Sequence, residues 1–141
     1  RSDLIVADEA LAAELEVPPG RRWLRLQGFR RPDDTTKPPL SWTVVYVAAE
    51  YAGVERLMAR QRASIWSLIE DMYGERLVDV EQRLRVVSVP PPLAEGLQVA
   101  RDSTVVEIRR RYFTSSGKIA EIAINLYPSE TFRFSMKLRR A

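Results

Sequence analysis

The sequence contains no cysteine and no histidine. The first absence rules out disulfides and thiolate chemistry, and the second removes the commonest general base and the commonest metal ligand. Long apolar runs are missing as well. No stretch approaches the roughly 18 to 20 residues needed to cross a bilayer, and the first residues lack the regions of a signal peptide. These absences predict a soluble, cytoplasmic protein with no metal, no cofactor and no membrane partner.

What is present fits one core. The 141 residues are 45 % hydrophobic, the range of a single domain. The net charge of +3 comes from 22 basic and 19 acidic residues interleaved along the chain. Its densest basic run, Arg109-Arg110-Arg111, has neither the helix signature nor the stacked aromatics of a nucleic-acid module. Direct DNA binding by this segment is therefore not expected.

Self-similarity organises the chain. Leu11-Ala12-Ala13-Glu14-Leu15-Glu16-Val17 reads like Leu93-Ala94-Glu95-Gly96-Leu97-Gln98-Val99. Each copy leads through a short turn into a strand-like run, Trp23 to Arg30 and Thr104 to Phe113, and then into a second run, Leu40 to Val47 and Ile119 to Tyr127. Each unit is thus a helix followed by a hairpin, with Asp8 as N-cap of the first helix and Pro91 or Pro92 starting the second. Two units are too few for a solenoid and predict one shared antiparallel sheet flanked by helices, an α+β fold with a ligand groove between sheet and helices.

Between the copies lies a helical insert. Val54 to Arg60 predicts a short helix; Ser64 is an N-cap for a second, in which Ile65, Leu68, Ile69 and Met72 follow helical spacing, and Gly74 is its stop. Arg76 to Val89 then alternates: Val78, Val80, Leu84 and Val86 on one face, Asp79, Glu81, Arg83 and Arg85 on the other. Phe132, Phe134, Met136 and Leu138 alternate in the same way with Arg133, Ser135, Lys137 and Arg139, which predicts a closing strand.

This order, with Ser64-Ile65-Trp66 opening a helix that ends Met72-Tyr73-Gly74, then Leu97-Gln98-Val99, Gly117 to Glu121 and Phe132-Arg133-Phe134, resembles the UTRA domain. That domain is the effector-binding half of the HutC subfamily of GntR-type regulators, and the resemblance covers nearly the whole chain, 1–141. It implies a chorismate lyase-like sheet, a homodimer, and a separate N-terminal winged helix-turn-helix domain that binds DNA and is absent from this sequence. Leu4-Ile5-Val6 is then the remnant of what precedes the first helix.

The resemblance also implies a pocket for a small effector, a carboxylate or phosphate, at Arg30, Ser64, Trp66, Glu121 and Tyr127, with Arg110 as a further strand arginine. Each residue type suits the task. Ser64 at a helix N-terminus sets a hydroxyl beside free backbone N–H groups, though simple capping fits it equally. Arg30 offers a planar fork to an anion, or is a solvated strand end. Glu121 interrupts the apolar run Ile119 to Ile124 and needs a partner if its face is buried, while Tyr127 and Trp66 are either flat pocket walls or core. Where relatives carry a first arginine and an acid, this chain has Gly28 and Thr43, which favours a carboxylate over a doubly charged phosphate. Two other functions fit the same residues: an enzyme of the chorismate lyase type, for which no acid–base pair or metal cluster is legible, and a dimerisation module without ligand.

Overall fold

A computed structural model of the chain describes residues 1–61 and 63–140. Six strands form one antiparallel sheet in the order β1-β2-β3-β6-β5-β4. Strand β1 (Ser2–Val6) leads into helix α1 (Glu9–Leu15) and the hairpin β2 (Arg22–Arg30) and β3 (Ser41–Ala48). After a 3₁₀ segment (Ala49–Val54), short helix α2 (Glu55–Met58) and helix α3 (Ile65–Tyr73), the pattern repeats as β4 (Leu77–Ser88), α4 (Pro91–Leu97), β5 (Thr104–Thr114) and β6 (Ile119–Pro128).

The repeat read from sequence is thus a β-α-β-β unit, one strand longer than expected, and the strand order places the two copies about a pseudo-dyad between β3 and β6. Leu4-Ile5-Val6 belongs to a strand paired in register with β2, with Ile5 opposite Trp23. The helix ends match in detail. Glu16 and Gln98 both take left-handed backbone (φ 57° and 58°), and the next residues return to the helix through Val17 N–H to Ala12 O and Val99 N–H to Ala94 O, 2.9 and 3.0 Å. Those bonds satisfy carbonyls that the last turn would otherwise leave bare. At the other end of α1, Asp8 accepts from Leu11 N–H at 2.8 Å, as a capping aspartate does.

Both sheet faces are covered over the first repeat. On one face lie α1 and α4: Leu15 and Leu97 are buried, and the guanidinium groups of Arg109 and Arg111 reach up to the carbonyls of Glu14 (2.6 Å) and Glu16 (2.9 Å). The middle of the basic run points the other way, so the triplet is split by strand alternation into two buried arginines that hold the end of α1 and one, Arg110, on the opposite face. On that opposite face, called here the insert face, the 3₁₀ segment, α2 and α3 pack over β2, β3 and β6, burying Val54, Leu68 and Ile69 with Leu24 and Val47.

The predicted closing strand is not formed. Residues 132–140 carry no strand pairing, and Phe134, Met136 and Leu138 are exposed. Alternation records a segment's two-sidedness, and it cannot supply the neighbour on which a strand depends.

Gly96 sits where α4 crosses Phe29, and a Cβ built there would lie 2.2 Å from the ring, which is itself held edge-on against Trp42 with centroids 4.7 Å apart. Overpacking of this kind costs about 1 to 3 kcal/mol, more than the ~1 kcal/mol that alanine gains in a helix. Gly96→Ala should lower the melting temperature by several degrees in a thermal scan, whereas an unchanged or raised midpoint would mean that the ring moves aside freely.

Candidate functional site

The rows of the insert face fix what can meet what. Leu26, Val45, Ala123, Arg110 and Gln82 form one row across the sheet, and Gly28, Thr43, Asn125, Ile108 and Leu84 form the next. Over β2 and β3, where α2 and the start of α3 stand off the sheet, these rows floor a cleft of about 750 Å³. Its walls are Met58, Ala59 and Ile65, its floor is Leu26, Gly28, Thr43 and Val45, and Arg30 closes one end. An apolar cleft with a few convergent polar groups is the usual form of a small-ligand site.

Gly28 makes the room: nothing lies within 4 Å of where its Cβ would be. Beside it Thr43 Oγ1 donates to Asn125 Oδ1 at 2.6 Å, so the centre of the floor is polar but uncharged. Glu55, on the rim, accepts from Ser2 Oγ at 2.6 Å. Among the described residues no carboxylate forms an ion pair with Arg30, and its guanidinium is exposed. None of Gly28's space, the Thr43–Asn125 pair, or Arg1 and Glu55, which also line the cleft, was read from the sequence as site machinery, although Gly28 and Thr43 were noted as departures that favour a carboxylate over a phosphate.

The other sequence-predicted residues do not all converge here. Ser64 takes the N-cap position of α3 with extended backbone (φ −67°, ψ 150°), yet its hydroxyl caps nothing and instead bonds Ser67 Oγ at 3.0 Å. It adjoins Ile65 on the cleft wall. Trp66 is 41 % exposed on α3 and does not line the cleft. Arg110 lies on the insert face one strand beyond β6, its Nε bonded to Gln82 Oε1 at 2.7 Å. Tyr127 meets Arg30 in a second, smaller hollow of about 390 Å³ that Leu40, Ile108 and Phe132 complete, so Arg30 borders both spaces.

Glu121 stands apart, six residues from Tyr127 along β6 or roughly 20 Å at the rise of a strand. It lies between Val47 and Tyr112 and is only 4 % exposed, and its Oε1 has no hydrogen-bond partner among the described residues. The alternative that it faces solvent is thereby excluded: both faces of β6 are buried at this point. Burial alone pushes its pKa up to about 8, so at neutral pH the carboxyl is mostly protonated and can donate as well as accept. The same burial, with the Glu121 charge beside it, raises Tyr112.

The family model described as the UTRA domain matches residues 1–133. The chain belongs to the UTRA domain family. Solved structures agree in fold. A GntR-family transcriptional regulator from Bacillus cereus superposes with a TM-score of 0.83 at 17 % identity, covering 99 % of this chain and 94 % of that one. The C-terminal domain of YurK from Bacillus subtilis gives 0.79 at 19 %, covering 98 % and 93 %. The effector domain of PhnF from Mycobacterium smegmatis gives 0.74 at 16 %, covering 99 % and 84 %. No match to a curated protein was found for the sequence. Among the described residues of this UTRA domain, no helix is long and apolar enough to cross a membrane.

The buried carboxyl makes stability depend on pH. Glu121 has an ordinary value near 4.5 and a folded value of about 8, so between these the folded chain keeps a proton that the unfolded chain has released. Its contribution is therefore fully present below the lower value and lost as pH rises through the upper, with a slope of at most ~1.4 kcal/mol per pH unit. Glu121→Gln is neutral throughout. Melting temperatures from pH 5 to 8.5 should fall by several degrees more in the native chain than in the variant, and parallel curves would show that the carboxyl ionises in the fold with a partner.

Proposed function

We propose that this UTRA domain is the effector-sensing domain of a bacterial transcriptional repressor of the HutC subfamily, binding a small anionic metabolite without acting on it chemically. The observation that carries the reading is the cleft between the insert and the sheet, apolar on its walls and closed at one end by Arg30, a guanidinium free to accept an anion. Membership of the UTRA family supports it, as do the printed descriptions of similar structures as regulators and as an effector domain.

A single carboxylate suits this cleft better than a doubly charged phosphate. Gly28 leaves open space beside Arg30, Arg1 and Glu55 line the cleft as one cation and one acid, and the Thr43–Asn125 pair offers neutral hydrogen bonding to the rest of the molecule. Ser64 and the free N–H groups beside it would take a second polar group of the ligand, with Tyr127 reaching Arg30 from the neighbouring hollow. Glu121, Trp66 and Arg110 lie off the cleft; Glu121, protonated and unpartnered, is the one that a rearrangement of α3 would bring into use.

In this reading the domain works as a homodimer in the cytoplasm and reaches DNA only through an N-terminal winged helix-turn-helix domain. The effector favours one arrangement of the pair, and its differential affinity for the two arrangements repositions the DNA-binding domains against the operator half-sites.

Thermal-shift screening against carboxylates and sugar phosphates tests it. A ligand at a hundred times its Kd adds about 2.7 kcal/mol, a shift of several degrees. Arg30→Ala should weaken a carboxylate hit by about 10- to 100-fold, the value of a charge-assisted bond of about 1.5 to 3 kcal/mol. A hit that Arg30→Ala leaves unchanged would move the site elsewhere, and a panel with no hit would favour a dimerisation module without ligand.

A further inference from the structure

The two ends of the cleft differ in charge. Among the described residues its charged lining is Arg30 at one end and Arg1 and Glu55 at the other. Glu55 opens α2, and its Oε1 accepts from Ser2 Oγ at 2.6 Å. Ser2 is paired with Leu26 on the edge strand β1 and so shares the face of the cleft floor. The bond holds the Glu55 carboxylate over that end and leaves Oε2 without a hydrogen-bond partner among the described residues. No cation among them forms an ion pair with it. Arg1 is bonded through its carbonyl to Gln27 N–H at 2.9 Å, and Gln27 belongs to the opposite face, so strand alternation leaves Arg1 at the margin.

We infer that the effector carries a cationic amino group as well as its carboxylate, the two separated by an apolar spacer, and that Glu55 is the residue that selects for the cation. This rests on the reading of the cleft as an effector site and names the class of metabolite that it takes.

The register sets the spacing. Taking each charged group over its own row, the distance from Leu26, opposite Ser2, to Arg30 on β2 is roughly 13 Å at the rise of a strand. Charge-assisted hydrogen bonds of about 2.8 Å at each end then leave roughly 7 Å between the charges of the ligand. An α-amino acid carries both charges on one carbon and is too short. A straight chain with its amino group at the far end, as in 6-aminohexanoate, spans the gap. Its methylene groups would lie between Met58 and Ile65 of the insert and Leu26 and Val45 of the sheet, with the open space over Gly28 at mid-length.

The anion end holds a second donor. Ser41, paired with Arg30 across the hairpin, is fully buried, and its Oγ has no hydrogen-bond partner among the described residues. A buried hydroxyl left unpaired is costly, and a carboxylate held by Arg30 would lie on its row. The other end offers the reverse, an acceptor held in place by a donor. A dicarboxylate would bring like charge against Glu55, so the same residue that attracts the amino group excludes the diacid.

Calorimetric titration of the 141-residue chain with 6-aminohexanoate, heptanoate, adipate and 2-aminohexanoate tests the inference, with circular dichroism to confirm that each variant is folded. The first probe should bind about tenfold more tightly than the other three, the value of one charge-assisted hydrogen bond. Glu55→Gln keeps an acceptor for Ser2 but removes the charge; it should abolish the advantage of the far amino group and leave heptanoate within about twofold of its native affinity. Glu55→Lys should invert the order in favour of adipate. Equal binding of 6-aminohexanoate and heptanoate by the native chain, or an advantage that survives Glu55→Gln, would overturn this inference alone. Binding of none of the four probes, or binding that Arg30→Ala leaves untouched, would overturn the effector-site reading of the cleft with it.

Discussion

The pairing of β3 with β6 joins the two repeats, and nearly every other feature of the molecule follows from its register. By setting Thr43 opposite Asn125, Val45 opposite Ala123 and Val47 opposite Glu121, it makes two hairpins into one six-stranded sheet with a pseudo-dyad at its centre. In a sheet made this way each face has two equivalent halves, one on each side of the dyad. The repeat helices α1 and α4 cover one of them symmetrically. The insert, present once, covers the other only in part, and the cleft lies beneath the stretch where it stands off the strands.

Much of this was legible because the repeat is written twice. Leu15 and Leu97 and the turns after Glu16 and Gln98 lie 82 positions apart, and the hairpins that follow recur in the same order, so a pattern accidental in one copy fails comparison with the other. The caps at Asp8 and Gly74 were legible for a different reason: local backbone chemistry decides them with little help from tertiary structure. Strand β1 was underread because five residues alternate too briefly to declare a partner. The C-terminal segment was overread because alternation is a property of the strand, and pairing is a property of its neighbour.

Site residues were less legible than elements, and the rows explain why. Arg30 and Glu121 both belong to the insert face, as strand parity implies, but parity says nothing about which row a residue occupies. The β3–β6 register puts them at opposite ends of the sheet. Gly28 and Thr43, noted only as departures from a pattern, define the cleft more directly than the charged candidates do, because a missing Cβ and a neutral hydrogen-bonded pair decide volume and polarity. The basic triplet shows the converse: three adjacent arginines that look like one patch are divided by a strand into two structural roles and one surface position.

Having one insert for two repeats also sets a count. Were the duplication complete, each chain would carry two equivalent clefts related by its internal dyad, and occupancy of one could be read by the other within a single protomer. With one insert the internal symmetry is broken at the cleft while it survives in the sheet. Under the proposed reading the described residues of each chain offer one such cleft, and cooperativity between clefts would then have to pass from one protomer to another.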